Sequence, residues 1–219
     1  MNLEVLFSER ILALPVLLFS IVVHEFSHAY AAYRAGDMTA AAQGRLTLNP
    51  LAHIDPIGTV LIPLLQFFGP QGLPLIGWAK PVPVNPSRFR SSDWDIFVSL
   101  AGPGSNFILA AIAAVVLKII VMAGVAFTPA MQPVFVVLMF FIGINVALGI
   151  FNLIPIPPLD GSRVLYRLLV SARSPWADRY AALEPYGYFI LILILVTPAS
   201  RLFSGIVQSC LGLVMRFVF

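Results

Sequence analysis

Charge is what this sequence has least of. Only 11% of its 219 residues are charged, where a water-soluble domain carries about 25%. That shortage excludes an ordinary partition into an apolar core and a charged surface. Lys and Arg form no run, which removes the usual signature of a nucleic-acid-binding patch, so no nucleic acid is expected as a partner. Cysteine is nearly missing: Cys210 stands alone and cannot close an internal disulfide, so there is no disulfide framework to read. Internal repeats and low-complexity tracts are also lacking.

What fills the chain instead is apolar. Hydrophobic residues make up 59% and the mean hydropathy is +0.93. The length suits one membrane domain. The net charge of +3 comes from cations scattered over the connections between apolar runs, where they set topology. The start of the chain carries Glu4 and Glu9 before its first cation, Arg10. A secretion signal wants a basic start and a small-residue cleavage site, so the run at 11–33 is read as a retained helix. At about 1.5 Å per residue it is long enough for a hydrocarbon core of roughly 30 Å.

Two further runs, 96–127 and 134–156, read as spanning helices. The run at 57–77 is interrupted by Pro63 and by Gly69-Pro70-Gln71-Gly72. Gly44 to Leu48 alternates polar and apolar side chains, which predicts a short strand. Residues 162–184 are polar, and Val164, Leu165, Leu168 and Leu169 make their first part an amphipathic helix at the membrane surface. Apolar runs at 186–197 and 202–219 close the chain. The expected fold is an all-α polytopic membrane protein. It has three core transmembrane helices, a re-entrant segment, a short β-strand region near the active site and one or two C-terminal helices. All of it forms one domain over 1–219, with the core at about 10–170 and the C-terminal membrane segments at about 186–219.

His24-Glu25-Phe26-Ser27-His28 carries the strongest chemistry. Residues four apart share a helix face, so two imidazoles can hold one Zn²⁺ while Glu25 acts as general base on the metal's water. Three ionisable groups within five residues are costly inside a membrane span, and point to function. A catalytic zinc takes three protein ligands and keeps a position open. Asp160 is one candidate for the third. It follows Pro155, Pro157 and Pro158, which end the preceding helix and leave irregular backbone, tolerated at membrane depth only around an internal cavity. Asp160 also reads as the cap of the next helix. His53 and Asp55 compete as ligands, but they lie in a turn-rich loop where hydrogen bonding within the turn suits them.

The sequence resembles the site-2 protease family of intramembrane zinc metalloproteases. HEFSH at 24–28 matches the family's HExxH. Asn152-x-x-Pro155 leading to Leu159-Asp160-Gly161 matches its NxxPxxxLDG. Ala101-Gly102-Pro103 with Asn106-Phe107 is similar to the family's middle core helix. Asn49 to Pro56 and Trp78 to Pro86 look like the compact bacterial and archaeal branch, without an inserted PDZ domain. The resemblance covers about residues 10–170. It implies one catalytic Zn²⁺ held by His24, His28 and Asp160, with Glu25 as catalytic base. It also implies that Asn152 bonds the substrate carbonyl or the developing oxyanion. An interhelical bond that holds Asp160 is an equal physical role for Asn152.

These assignments impose a topology. His28 and Asp160 must share a depth, so an even number of crossings separates them. The runs at 96–127 and 134–156 supply two, so 57–77 should enter and leave on one side. Most cations then flank the site, which is expected nearer the cytoplasmic face of the cell membrane. The expected partners are the bilayer and a transmembrane protein or peptide, cut within or near its membrane segment. The strand at 44–48 is expected to hold the unwound substrate by β-addition. A metal-ion transporter and a non-catalytic membrane scaffold are the rival readings.

Overall fold

A computed structural model describes residues 3–62, 65 and 79–219, and all its regular elements among these are helical. They are α1 (Leu3–Ala35), α2 (Thr39–Ala42), α3 (Trp94–Met122), α4 (Gln132–Asn152), α5 (Asp160–Ser171), α6 (Trp176–Ala181), α7 (Gly187–Val196) and α8 (Ser200–Val218), with short 3₁₀ and π turns between. Among the described residues, five helical stretches are long and apolar enough to cross a membrane: 12–35, 94–122, 132–152, 176–196 and 200–218. The fourth is not one continuous helix. It comprises α6, a 3₁₀ turn at Glu184–Tyr186 and α7.

Helix α3 is the central post, packed by α1, α4, α5 and α8. Its inward face is built from small residues, with Ala110, Ala113 and Ala114 buried beside Leu117 against Ile142 and Val146 of α4 and Val218 of α8. Small side chains let helix backbones approach closely where lipid offers no hydrophobic drive. Gly149 of α4 uses the same device, since a Cβ there would lie 2.7 Å from the Phe107 ring. The outward face of α3 is the opposite. Ile108, Ile112, Val115, Ile119 and Met122 recur at helical spacing and are exposed. A stripe of that size is unfavourable in water and suited to lipid.

The C-terminal end of α1, the start of α3 and the end of α4 meet at one end of the bundle. His28 reaches the Val98 carbonyl there, and Asp160 follows α4. Helix α8 starts at this end too, with the Phe203 ring edge-on to Phe151 at 5.9 Å. It finishes at the other, where Lys118 Nζ donates to the Phe217 carbonyl at 2.7 Å. Helix α7 also begins near the site: a Cβ on Gly187 would sit 2.1 Å from the Pro157 carbonyl oxygen.

Several expected boundaries move. The span expected at 96–127 ends at Met122, followed by Gly124 at φ +71. The span expected at 134–156 ends at Asn152, because Pro155, Pro157 and Pro158 cannot continue it. The strand expected at 44–48 is absent; these residues are turn and bend. The reason lies in the extended segment beside them, 79–86. Its prolines at 81, 83 and 86 carry no N–H, and three of its remaining N–H groups are spent elsewhere. Lys80 donates to His53 O, Val82 to Glu25 Oε2 and Asn85 to Asp37 Oδ2. Residues 44–48 form no ladder with it, so the β-addition site expected there is withdrawn. The re-entrant segment expected at 57–77 lies mostly outside the described residues; its start, Pro56–Leu61, is a π-helical turn.

Candidate metal centre

Helix α1 carries His24 and His28 one turn apart, both buried, and their Nε2 atoms stand 3.0 Å apart. Asp160 comes from the other side. Its Oδ2 lies 3.2 Å from His24 Nε2 and 3.2 Å from His28 Nε2. Asp160 is the first residue of α5, yet its carboxylate caps nothing: Leu159 is the N-cap and no side chain bonds the helix start. The Asp160 carboxylate is therefore turned toward the histidines and not toward the start of its own helix.

The backbone around Asp160 is fitted to that task. Pro155 to Pro158 turn the chain, and Leu159 takes an extended conformation at φ −68, ψ 155. Gly161 then packs against the end of α4, where a Cβ would meet the Leu153 carbonyl oxygen at 2.2 Å. Ser162 Oγ–H closes the turn by donating to Leu159 O at 2.6 Å.

The three donors form the one group of three or more metal-ligating side chains among the described residues, with ligand atoms within 4.8 Å of one another. Two imidazole nitrogens and one carboxylate oxygen are donors that zinc accepts, with a fourth position left for water. Room is made by Gly102 on α3. A Cβ there would stand 2.3 Å from His28 Nε2 and 2.6 Å from His24 Nε2. The donor set and this cleared space fit a metal ion. Behind the ligands, the two Nδ1 atoms are also engaged. His28 Nδ1–H donates to Val98 O at 2.7 Å, and His24 Nδ1 meets Asn106 Oδ1 at 2.7 Å.

Glu25 sits between the histidines, half-buried, and its Oε2 accepts the Val82 N–H at 2.8 Å. The segment 79–86 is thus laid across Glu25. It is clasped from behind by buried Arg45, whose Nη2 donates to the carbonyls of Lys80 at 2.7 Å and Pro81 at 3.3 Å. Asn152, the last residue of α4, donates Nδ2–H to Leu148 O at 3.0 Å within its own helix. It makes no interhelical bond to Asp160, and its second amide hydrogen is unspent. His53 and Asp55 do not join the centre. His53 Nε2–H donates to Thr47 O at 2.8 Å, and Asp55 Oδ1 caps the turn at 56–61 through the N–H groups of Ile57 and Gly58.

Sequence reasoning met Asn106 only within the family resemblance and missed the other supports. Asn106 and Asn145 are polar residues inside apolar runs, a signal of function, but nothing in their spacing names their partners. Val98 O and Val82 N–H are backbone groups and leave no sequence signal.

The chain is similar to known proteins. Residues 118–195 match the model of peptidase family M50. A Bacillus subtilis (strain 168) protein named "Putative zinc metalloprotease YwhC" is 40% identical over 190 residues, covering 83% of this chain and 78% of that protein. A Mycolicibacterium smegmatis protein named "Putative zinc metalloprotease Rip2" is 32% identical over 191 residues, covering 86% of this chain and 68% of that protein. No solved structure matches the chain.

Proposed function

Because the chain belongs to peptidase family M50, we propose that it is a multi-pass membrane zinc metalloprotease that hydrolyses peptide bonds within or beside the transmembrane segments of other membrane proteins. The observation that carries this reading is the convergence of His24, His28 and Asp160 beside Glu25 at one end of an apolar helical bundle.

His24 Nε2, His28 Nε2 and an Asp160 carboxylate oxygen are the proposed ligands. Bound there, zinc supplies Lewis acidity, which acidifies water and polarises the scissile carbonyl. The Glu25 carboxylate takes the proton of the attacking water and delivers it to the nitrogen of the leaving amine. The Val82 N–H fixes the orientation of that carboxylate. Asn152 is the proposed donor to the substrate carbonyl or oxyanion, through the amide hydrogen that its own helix leaves free. A substrate helix must open locally to expose a peptide bond to these groups.

The site is proposed to face the cytoplasmic side of the cell membrane. Support comes from charge: Arg34, Arg45, Lys80, Arg88, Arg90, Arg163, Arg167, Arg173, Arg179 and Arg201 flank the site end, against Arg10 toward the start of α1 and Lys118 and Arg216 at the far end of α3 and α8. Such a bias marks the cytoplasmic side. On this topology, residues 57–77 return to the side they leave.

Glu25→Gln tests the reading. The purified variant should keep its zinc and lose cleavage of a membrane-spanning peptide by about 10²- to 10⁴-fold. Wild-type cleavage would remove Glu25 as the base.

A further inference from the structure

A continuous polar chain runs through the apolar interior behind the metal centre. His24 Nδ1 meets Asn106 Oδ1 at 2.7 Å, and Asn106 Nδ2–H donates to Asn145 Oδ1 at 2.9 Å. Asn145 Nδ2 donates to Ser20 Oγ at 2.8 Å and to Phe141 O at 2.9 Å. Ser20 Oγ–H ends the chain on Val16 O at 2.7 Å. Ser20, Asn106 and Asn145 are all 0% exposed, and they join α1, α3 and α4. Asparagines buried in spanning helices are expensive unless every polar atom is met.

The direction of the chain follows from its ends. A carboxamide presents an oxygen on one side and an amino group on the other, and either can face a histidine ring. The Phe141 carbonyl can only accept, so Asn145 must turn Nδ2 toward it. That leaves Asn145 Oδ1 facing Asn106, which must answer with Nδ2–H. Asn106 is then obliged to present its oxygen to His24. A ring facing that oxygen carries its proton on Nδ1 and leaves Nε2 as a lone pair toward Asp160 and His28. His28 needs no such relay, because a backbone carbonyl, Val98 O, fixes its tautomer directly. A flipped Asn106 would offer its amino group to His24 and favour the tautomer with a proton on Nε2, where a metal must bind.

We propose that Asn145 is a positioning residue for the metal centre: it locks the Asn106 carboxamide with its oxygen toward His24, and so holds His24 in the tautomer that binds zinc. The proposal rests on His24 being a ligand. General experience with residues that orient metal-binding histidines sets the scale, a loss of about 10- to 100-fold in metal affinity.

Zinc affinity of the purified protein, measured by chelator competition, reads the effect without relying on activity. Asn145→Leu keeps the size but removes the acceptor, so affinity should fall by about 10- to 100-fold and the absorption bands of bound Co²⁺ should change. Adding Asn106→Asp makes both ends of that side chain oxygen, so its orientation no longer matters. The double variant should regain zinc affinity relative to Asn145→Leu alone. A purely packing role predicts no such rescue, since the second change only adds a defect. Wild-type affinity in Asn145→Leu, or no recovery in the double variant, overturns the proposal. If Asn145→Leu does not fold, Asn145→Asp decides: it keeps the acceptor and should hold zinc near wild-type affinity while lowering the melting temperature. Loss of zinc by a folded Asn145→Asp also overturns it. His24→Ala, run alongside, tests the ligand assignment separately, because retained affinity there would refute the ligand whatever Asn145 does.

Discussion

A methyl group on Gly102 would come within 2.3 Å of His28 Nε2 and 2.6 Å of His24 Nε2. Real Cβ atoms do not sit that close, and the neighbours are ring atoms held from behind by Asn106 and Val98. Gly102→Ala should therefore cost at least the about 10- to 100-fold in zinc affinity that follows loss of a supporting group, with helical content unchanged. Chelator competition and circular dichroism check the two halves. Gly161→Ala should displace Asp160 in the same way, since its Cβ would meet Leu153 O at 2.2 Å. At this scale the pairing of His24 with His28 was legible because spacing on a helix is legible: four residues place two imidazoles on one face. Asp160 stayed open between ligand and cap, because both readings use the same residue at the same helix start. Only the position of its carboxylate decides. Gly102 and Gly161 were visible only as members of the motifs that carry the family resemblance, and backbone groups that orient side chains leave no pattern in a single sequence.

Between the helices, the segment at 79–86 is the element that the apolar pattern could not describe. It is shaped by its prolines and held by three separate anchors: Glu25, Asp37 and Arg45. Arg45→Ala removes two hydrogen bonds from a charged donor, worth about 1.5–3 kcal/mol each. It should lower thermal stability and cleavage while zinc content stays unchanged, measured on one preparation. Asp37 anchors the other end. Burial opposes its ionisation, but hydrogen bonds from the Thr39 hydroxyl, the Asn85 amide and the Thr39 amide, with Arg88 nearby, hold its carboxyl below the ordinary value. A lowered folded value stabilises the protein fully above the unfolded carboxyl pKa of about 3.9, and that contribution is lost as pH falls through the folded value. Asp37→Asn should lower the melting temperature at neutral pH and flatten its fall on acidification. Hydropathy placed the stretches at 12–35, 94–122, 132–152 and 200–218 to within about five residues, but the one at 176–196 starts ten residues before the apolar run expected at 186–197. The strand at 44–48 failed because alternation describes one strand only, and the neighbouring segment has three prolines without an N–H and spends the N–H groups of Lys80, Val82 and Asn85 elsewhere.

For the molecule as a whole, the decisive feature is that three helix ends meet at one depth. The chain runs away from the site end on α3 and returns on α4, so His28 and Asp160 reach the same end of the bundle. The lipid-facing stripe of α3 and the concentration of cations at the site end agree with a membrane protein inserted in one orientation. In a Cys210→Ala background, Arg173→Cys should react with a membrane-impermeant thiol reagent from the cytoplasmic side only, and Thr128→Cys from the opposite side only. Gln71→Cys should follow Arg173→Cys. Labelling of Gln71→Cys together with Thr128→Cys would mean that 57–77 crosses the membrane.

The account turns on two imidazoles and one carboxylate holding a single zinc, and X-ray absorption at the zinc edge of the purified protein reads that set directly. It should show about four light-atom neighbours at about 2.0–2.2 Å, with outer scattering from two imidazoles that falls to one in His24→Ala. A sulfur neighbour near about 2.3 Å, or an imidazole signal unchanged in His24→Ala, would contradict it.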